Sequence, residues 1–252
     1  MRSPLNLNDE EIENLKHIGD YDNIDIIRLW IEKARYLKKK YGKVQLGFNM
    51  QGILSTAIKV RGEALFIDFF ENPDIAKKTL EVCFETTENL REYVYRYNCE
   101  NGYPEIDRVQ ATNCAVALVS PDIYREFIMP YDLRLAQRFT SKFGIHHCGP
   151  NMDRFAELYA ALPKGIYYDI GYGSDVEKCV ELFKTDAFPQ LIRGRLGPHI
   201  LLNSDEAGIE SEIKRIINSG VNKVVCVGAD QNTPDRNIDA YFKSVWKHGN
   251  KQ

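Results

Sequence analysis

Residues 144–171, GIHHCGPNMDRFAELYAALPKGIYYDIG, decide the architecture. Gly144–Cys148 is a strand-length run stopped by Gly149 and Pro150, and Gly165–Ile170 is a second, stopped by Gly171. Between them Met152–Leu162 is an amphipathic stretch of helical length. Two strand-length runs joined by a helix read as a βαβ unit, whose crossover makes the strands parallel.

The same rhythm extends in both directions. Val44–Asn49, Arg108–Asn113, Leu191–Arg195 and Lys223–Val227 are further strand candidates. Asn72–Tyr97, Pro121–Phe143, Ser174–Lys184, Ser204–Ser219 and Pro234–His248 are the helices expected between and after them. Residues 43–252 shared among six units give 35 residues each, close to the ~31 of a complete eight-unit barrel. The spacing therefore predicts an α/β fold, a TIM-type (β/α)8-like barrel that is incomplete, with about six strands. A doubly wound sheet alternates in the same way. However, the text after the first strand candidate is GFNMQGILS, with no G-x-G-x-x-G to cradle a dinucleotide.

Residues 1–42 read as a separate N-terminal helical segment, ahead of a barrel domain over 43–252. Asn8-Asp9-Glu10-Glu11 is a helix start with acids in the first turn. Ile24, Ile27, Ile31, Ala34 and Leu37 recur at near-helical spacing. Lys38-Lys39-Lys40 followed by Gly42 suits a helix end, where cations complement the dipole and glycine caps.

Composition narrows the function classes. At 44% apolar and 27% charged over 252 residues, the chain can bury a sizeable core. A net charge of −3 gives no basic field for nucleic acid. The longest apolar run, Cys114–Val119, is too short to cross a bilayer, which takes ~20 residues. The first residues, MRSPLNLNDEEIE, lack the apolar stretch of a secretory signal. Six cysteines without such a signal point to thiols or metal ligands in a reducing, cytoplasmic setting.

Chemistry concentrates where strands end. Alternate side chains of a strand share a face, so His146 and Cys148 point together and His147 points away, towards the helix layer. Cys226 closes the strand candidate KVVCVGAD at the same end of the sheet. A His/Cys/Cys set of soft thiolates and imidazole favours Zn²⁺ and leaves a fourth position for substrate. Asn49 and Gln51, Asn113, Asp169 and Arg195 are the expected substrate-binding residues at neighbouring strand ends. Arg193 lies on the same strand face as Arg195 and could help to bind an anion. Cys114 offers one more thiol; its simplest reading is a small residue beside the site.

A series of motifs in chain order resembles the uroporphyrinogen decarboxylase superfamily. Ser120-Pro121-Asp122-Ile123-Tyr124-Arg125-Glu126-Phe127-Ile128-Met129-Pro130-Tyr131 is similar to its S-P-x-x-Y-x-E-F-x-x-P-Y segment, and Gly144–Gly149 to its G-x-H-x-C-G strand. Asp169–Asp175 resembles the D-x-G-x-G-x-D turn, Gly194–Pro198 a G-x-x-x-P turn, and Thr233–Asn237 the T-P-x-x-N helix start. The resemblance implies a (β/α)8 barrel and one of two activities. One branch decarboxylates uroporphyrinogen without metal. The other contains zinc methyltransferases that move a methyl group between a methylated corrinoid on a partner protein and a small thiol such as coenzyme M. The methyltransferase ligands correspond to His146, Cys148 and Cys226. The decarboxylase branch carries an N-terminal M-R-Q-A-G-R strand that has no counterpart here, so the methyltransferase branch is favoured, with a decarboxylase-like carboxy-lyase and a non-catalytic or split-subunit zinc-binding relative as alternatives. The family also begins with strands ahead of anything resembling residues 22–42. Open sheet edges are therefore expected, and with them a homo-oligomer or a complementary subunit.

Overall fold

The computed structural model describes residues 3–42, 44–47, 50–103, 108–226 and 228–249. The chain divides into two compact units, Met1–Asp107 and Arg108–Gln252.

The first unit is helical: α1 (Asp9–Glu13), α2 (Asp25–Tyr41), α3 (Ile53–Arg61), α4 (Ala64–Glu71) and α5 (Pro73–Glu100). Asn8 caps α1 through a reciprocal pair with Glu11, so the acidic start is a capping box. Gly42, at φ +86°, closes α2 after its three lysines. Arg61 is buried and bonds Asp68 at 2.7 Å and the Leu7 carbonyl at 2.7 Å, which ties α3 to α4 and to the N-terminal stretch.

The strand expected over Val44–Asn49 does not form across its described residues, 44–47. Phe48 and Asn49 lie outside the described residues. The reason is local. The Asn98 side chain accepts from Leu46 N–H and donates to Leu46 C=O, both at 2.9 Å, and so takes up the backbone groups that a neighbouring strand would use.

The second unit holds the sheet. In chain order it runs β1 (Val109–Thr112), α6 (Pro121–Ile123), a π turn (Tyr124–Ile128), α7 (Met129–Arg138), β2 (Phe143–His146), α8 (Asp153–Ala160), β3 (Tyr167–Asp169), α9 (Val176–Phe183), β4 (Leu191–Leu196), α10 (Pro198–Asn203), α11 (Glu206–Asn218), β5 (Lys223–Cys226) and α12 (Asp235–Gly249). All neighbouring strands are parallel and follow sequence order, β1-β2-β3-β4-β5. Among the described residues five strands thus stand where six are expected, in one unclosed sheet, the arrangement of an incomplete barrel.

The helix expected over Pro121–Phe143 is interrupted. Pro130 has no N–H to give to the carbonyl four residues back, and Met129 N–H bonds Tyr124 C=O instead, five residues back. The resulting bulge sets Tyr124 against Phe155 and Tyr159 of α8 in edge-to-face contacts. At the other end of the sheet, Leu196, Leu201, Ile209, Ile213 and Ala240 bury α10, α11 and α12 together. Gly144 is required between β2 and β3, because a Cβ there would stand 2.5 Å from the Tyr167 carbonyl oxygen. No helix among the described residues is long and apolar enough to cross a membrane.

Candidate metal centre

The register places Thr112, His146, Asp169 and Arg193 side by side across β1 to β4. The residues just beyond this row are therefore brought to one rim, at the C-terminal ends of parallel strands. There the ligand atoms of Cys114, His146 and Cys148 all lie within 4.8 Å of one another. The Cys114 and Cys148 sulfurs are 2.7 Å apart. Cys114 arrives on a 3-10 turn (Cys114–Leu118) that leaves β1 immediately. Asn113 N–H donates to His146 C=O at 2.8 Å, which holds that turn against the end of β2.

His146 is oriented from behind: its Nδ1 is 2.7 Å from Asp169 Oδ2. That leaves Nε2 as the remaining ring nitrogen, the arrangement in which a carboxylate fixes the tautomer of a ligating histidine. Burial disfavours the imidazolium, but Asp169 and the Cys148 sulfur outweigh it and raise His146 to about 9. The two thiols titrate as a pair. Contact with Cys148 draws Cys114 down to about 6, and the same contact pushes Cys148 up to about 12.

Asp169 is the hub of the site. Its carboxylate, buried completely, accepts from Tyr167 OH at 2.8 Å, Arg193 Nη2 at 2.8 Å and Arg195 Nε at 2.8 Å, and also pairs with Arg195 Nη2. Two guanidiniums thus face one carboxylate. Arg193 Nε is buried and has no hydrogen-bond partner. Burial, with the neighbouring charges of Arg195 and Arg108, pulls the Arg193 pKa down.

His147 takes the opposite face, as strand alternation requires. It is fully buried, with Nδ1 2.9 Å from Tyr159 OH and Nε2 3.2 Å from Pro150 O. A carbonyl only accepts, so Nε2 carries the proton and Nδ1 accepts from the tyrosine. Burial lowers this imidazole to about 4. Tyr124 packs edge-on against the same Tyr159, and Asp132 accepts at Oδ2 from Asn113 Nδ2 at 2.6 Å and Tyr124 OH at 2.7 Å. Burial raises Asp132 to about 6, against those two donors. The loops leaving β2 and β3 touch: a Cβ on Gly171 would stand 2.5 Å from Gly149 O. A bridge between Pro150 and Tyr172 closes the same contact.

The other expected residues separate. Arg195 and Asp169 meet directly. Asn113 is 3% exposed, and its side chain is turned into the wall towards Asp132. Cys226 sits opposite Leu196 on β4 and packs on the apolar cluster of α10, α11 and α12. It stands outside the three-ligand group, and burial pushes its thiol up. Gln51 is exposed just ahead of α3, and Asn49 lies outside the described residues. The thiol that joins His146 and Cys148 is Cys114. Its signal was adjacency: β1 neighbours β2, so the residue just past one strand end reaches the residue just past the other.

The uroporphyrinogen decarboxylase (URO-D) family model matches residues 1–248. Among solved structures, a methyltransferase from Methanosarcina mazei superposes with a TM-score of 0.69 at 18% identity, covering 97% of this chain and 70% of that one. No curated protein matches.

Proposed function

Because the chain belongs to the uroporphyrinogen decarboxylase family, we propose that it is a zinc-dependent methyltransferase, moving a methyl group between a methylated corrinoid on a partner protein and a thiol such as coenzyme M. The observation that carries this reading is the two-thiol, one-imidazole group whose histidine is already oriented by Asp169. That donor set fits Zn²⁺, since sulfur and imidazole suit it and three protein ligands leave one position open. Zinc bound there would supply the deprotonation of an incoming thiol at neutral pH. The methyl chemistry belongs to the corrinoid.

The chain's own residues then have distinct tasks. His146 and Cys148 would hold the metal with a third thiol. Cys114 is the one grouped with them, and Cys226 is the one the sequence pattern suggests. Asp169 fixes the proton on His146 Nδ1. Arg193 and Arg195 carry more positive charge than Asp169 neutralises, and the unpartnered Arg193 Nε is a donor for an anionic end of the thiol substrate. The outer edges of β1 and β5 have no strand partner among the described residues, which supports a second copy or complementary subunit. Six free thiols support a cytoplasmic setting.

The test is zinc content together with methyl transfer from methylcobalamin to coenzyme M. We expect about one zinc per chain, transfer that stops with a chelator and returns with zinc, and loss of both in Cys148→Ser. Retention in Cys226→Ser with loss in Cys114→Ser assigns the third ligand to Cys114, and the reverse assigns it to Cys226. The paired arginines favour a second reading, a metal-free carboxy-lyase that holds substrate carboxylates. Release of carbon dioxide from a porphyrinogen by chelator-treated protein would select it.

A further inference from the structure

The sulfurs that meet across the ends of β1 and β2 have a second chemistry available. We propose that Cys114 and Cys148 form a reversible redox pair, closing an internal disulfide by exchange with a small-molecule disulfide.

The juxtaposition carries the inference. The two sulfurs lie 2.7 Å apart and both cysteines are free. Both side chains are partly exposed, so a small oxidant has access. The backbone that carries them is already held together, by Asn113 N–H on His146 C=O at 2.8 Å and by the approach of Gly149 to the Cys114 carbonyl, where an added Cβ would stand 3.4 Å from the oxygen. No other cysteine is so placed among the described residues. Cys83 and Cys179 are buried on helices, Cys99 is exposed on α5, and Cys226 packs in its apolar cluster.

The exchange balances in two steps. One of the two thiolates attacks a sulfur of the small disulfide, forming a mixed disulfide and releasing one small thiolate, which takes up the proton lost from the attacking cysteine. The second cysteine, as thiolate, attacks the protein-side sulfur, closes the Cys114–Cys148 bond and releases the second small thiol with the other proton. The protein loses two electrons and the small disulfide gains them. A closed disulfide leaves neither sulfur as a thiolate ligand, so bond and metal exclude one another. The inference goes beyond the methyltransferase reading and does not depend on it, because the metal-free chain undergoes the exchange.

The experiment uses the full chain stripped of metal with a chelator and incubated with oxidised glutathione, followed by thiol titration in denaturant and peptide mapping. We expect the six thiols to fall by two, a mass lower by two hydrogens, a peptide linking Cys114 to Cys148, and full recovery with dithiothreitol. Cys114→Ser should instead accumulate a glutathione adduct on Cys148. Six remaining thiols in the unsubstituted chain, or a bond from either residue to Cys226, would overturn the proposal. Adding zinc before the oxidant separates the two readings. Protection of both thiols supports the metal site as well. Unchanged disulfide formation removes the metal reading and leaves the redox pair standing.

Discussion

His146 and His147 are chain neighbours with opposite chemistry. His146 faces the rim, paired with Asp169 and beside two sulfurs, and is raised to about 9. His147 faces the helices, shares its nitrogens between Tyr159 and a carbonyl, and is lowered to about 4. One step along a strand exchanges a face that can meet a ligand for a face that meets the core. The comparison generalises to the whole rim. Asp169, Arg193, Arg195, Cys114 and Cys148 serve the open face. Asp132, Asn113, Tyr124 and Tyr159 form a closed hydrogen-bonded wall behind it.

The comparison breaks most sharply at the metal. Cys148→Ala should abolish tight zinc binding, whereas His147→Ala should keep one zinc per chain and lose stability, about 2–4 kcal/mol for a buried cavity and an orphaned Tyr159 hydroxyl. Equilibrium dialysis with zinc analysis and a urea melt read the two effects separately. Loss of zinc in His147→Ala with an unchanged melt would invert the assignment of faces.

The wall should reveal itself through pH. Asp132 titrates at about 6 in the fold and near 3.9 in an unfolded chain. Between these values the native state holds the extra proton, so stability rises as pH falls through 6 towards 4 and is lost again as pH climbs. The shift corresponds to about 3 kcal/mol. Asp132→Asn removes the carboxyl, so the stability difference between the two proteins should drift by that amount over the window. Parallel curves from pH 4 to 7 would show that Asp132 is not held in this state.

The support behind the rim should be a smaller effect. Asp169→Asn keeps the size of the side chain but weakens its hold on His146 and leaves Arg193 and Arg195 without their counter-ion. Zinc affinity should drop about 10–100-fold, the usual cost of losing a group that orients a ligand. An unchanged affinity would mean that His146 needs no such support.

These contrasts also explain what was legible in the sequence. The five strands of the sheet were visible because each is a short segment alternating with a helix-length stretch, and each pairs with its sequence neighbours. His146, His147 and Cys148 were legible through the two-residue period alone. Residues 44–47 deceived because an extended apolar segment looks the same whether its partner is a strand or the Asn98 side chain. The broken helix around Pro130 and the place of Cys114 were hidden for a related reason. Each depends on which backbone groups find partners after the chain has folded, and no periodicity encodes that. The short helices α3 and α4, which periodicity between the first two strand candidates did not mark out, are fixed by the Arg61–Asp68 contact, seven residues apart in sequence.

The central claim is that two sulfurs and one imidazole of the β1–β2 rim form a single metal site. Zinc K-edge X-ray absorption of the zinc-loaded protein tests it most directly. The account predicts two sulfur scatterers at about 2.3 Å and one histidine nitrogen at about 2.0–2.1 Å, with one sulfur lost in Cys114→Ser. A shell of oxygen and nitrogen only, or two sulfurs that both survive in Cys114→Ser while one is lost in Cys226→Ser, would contradict it.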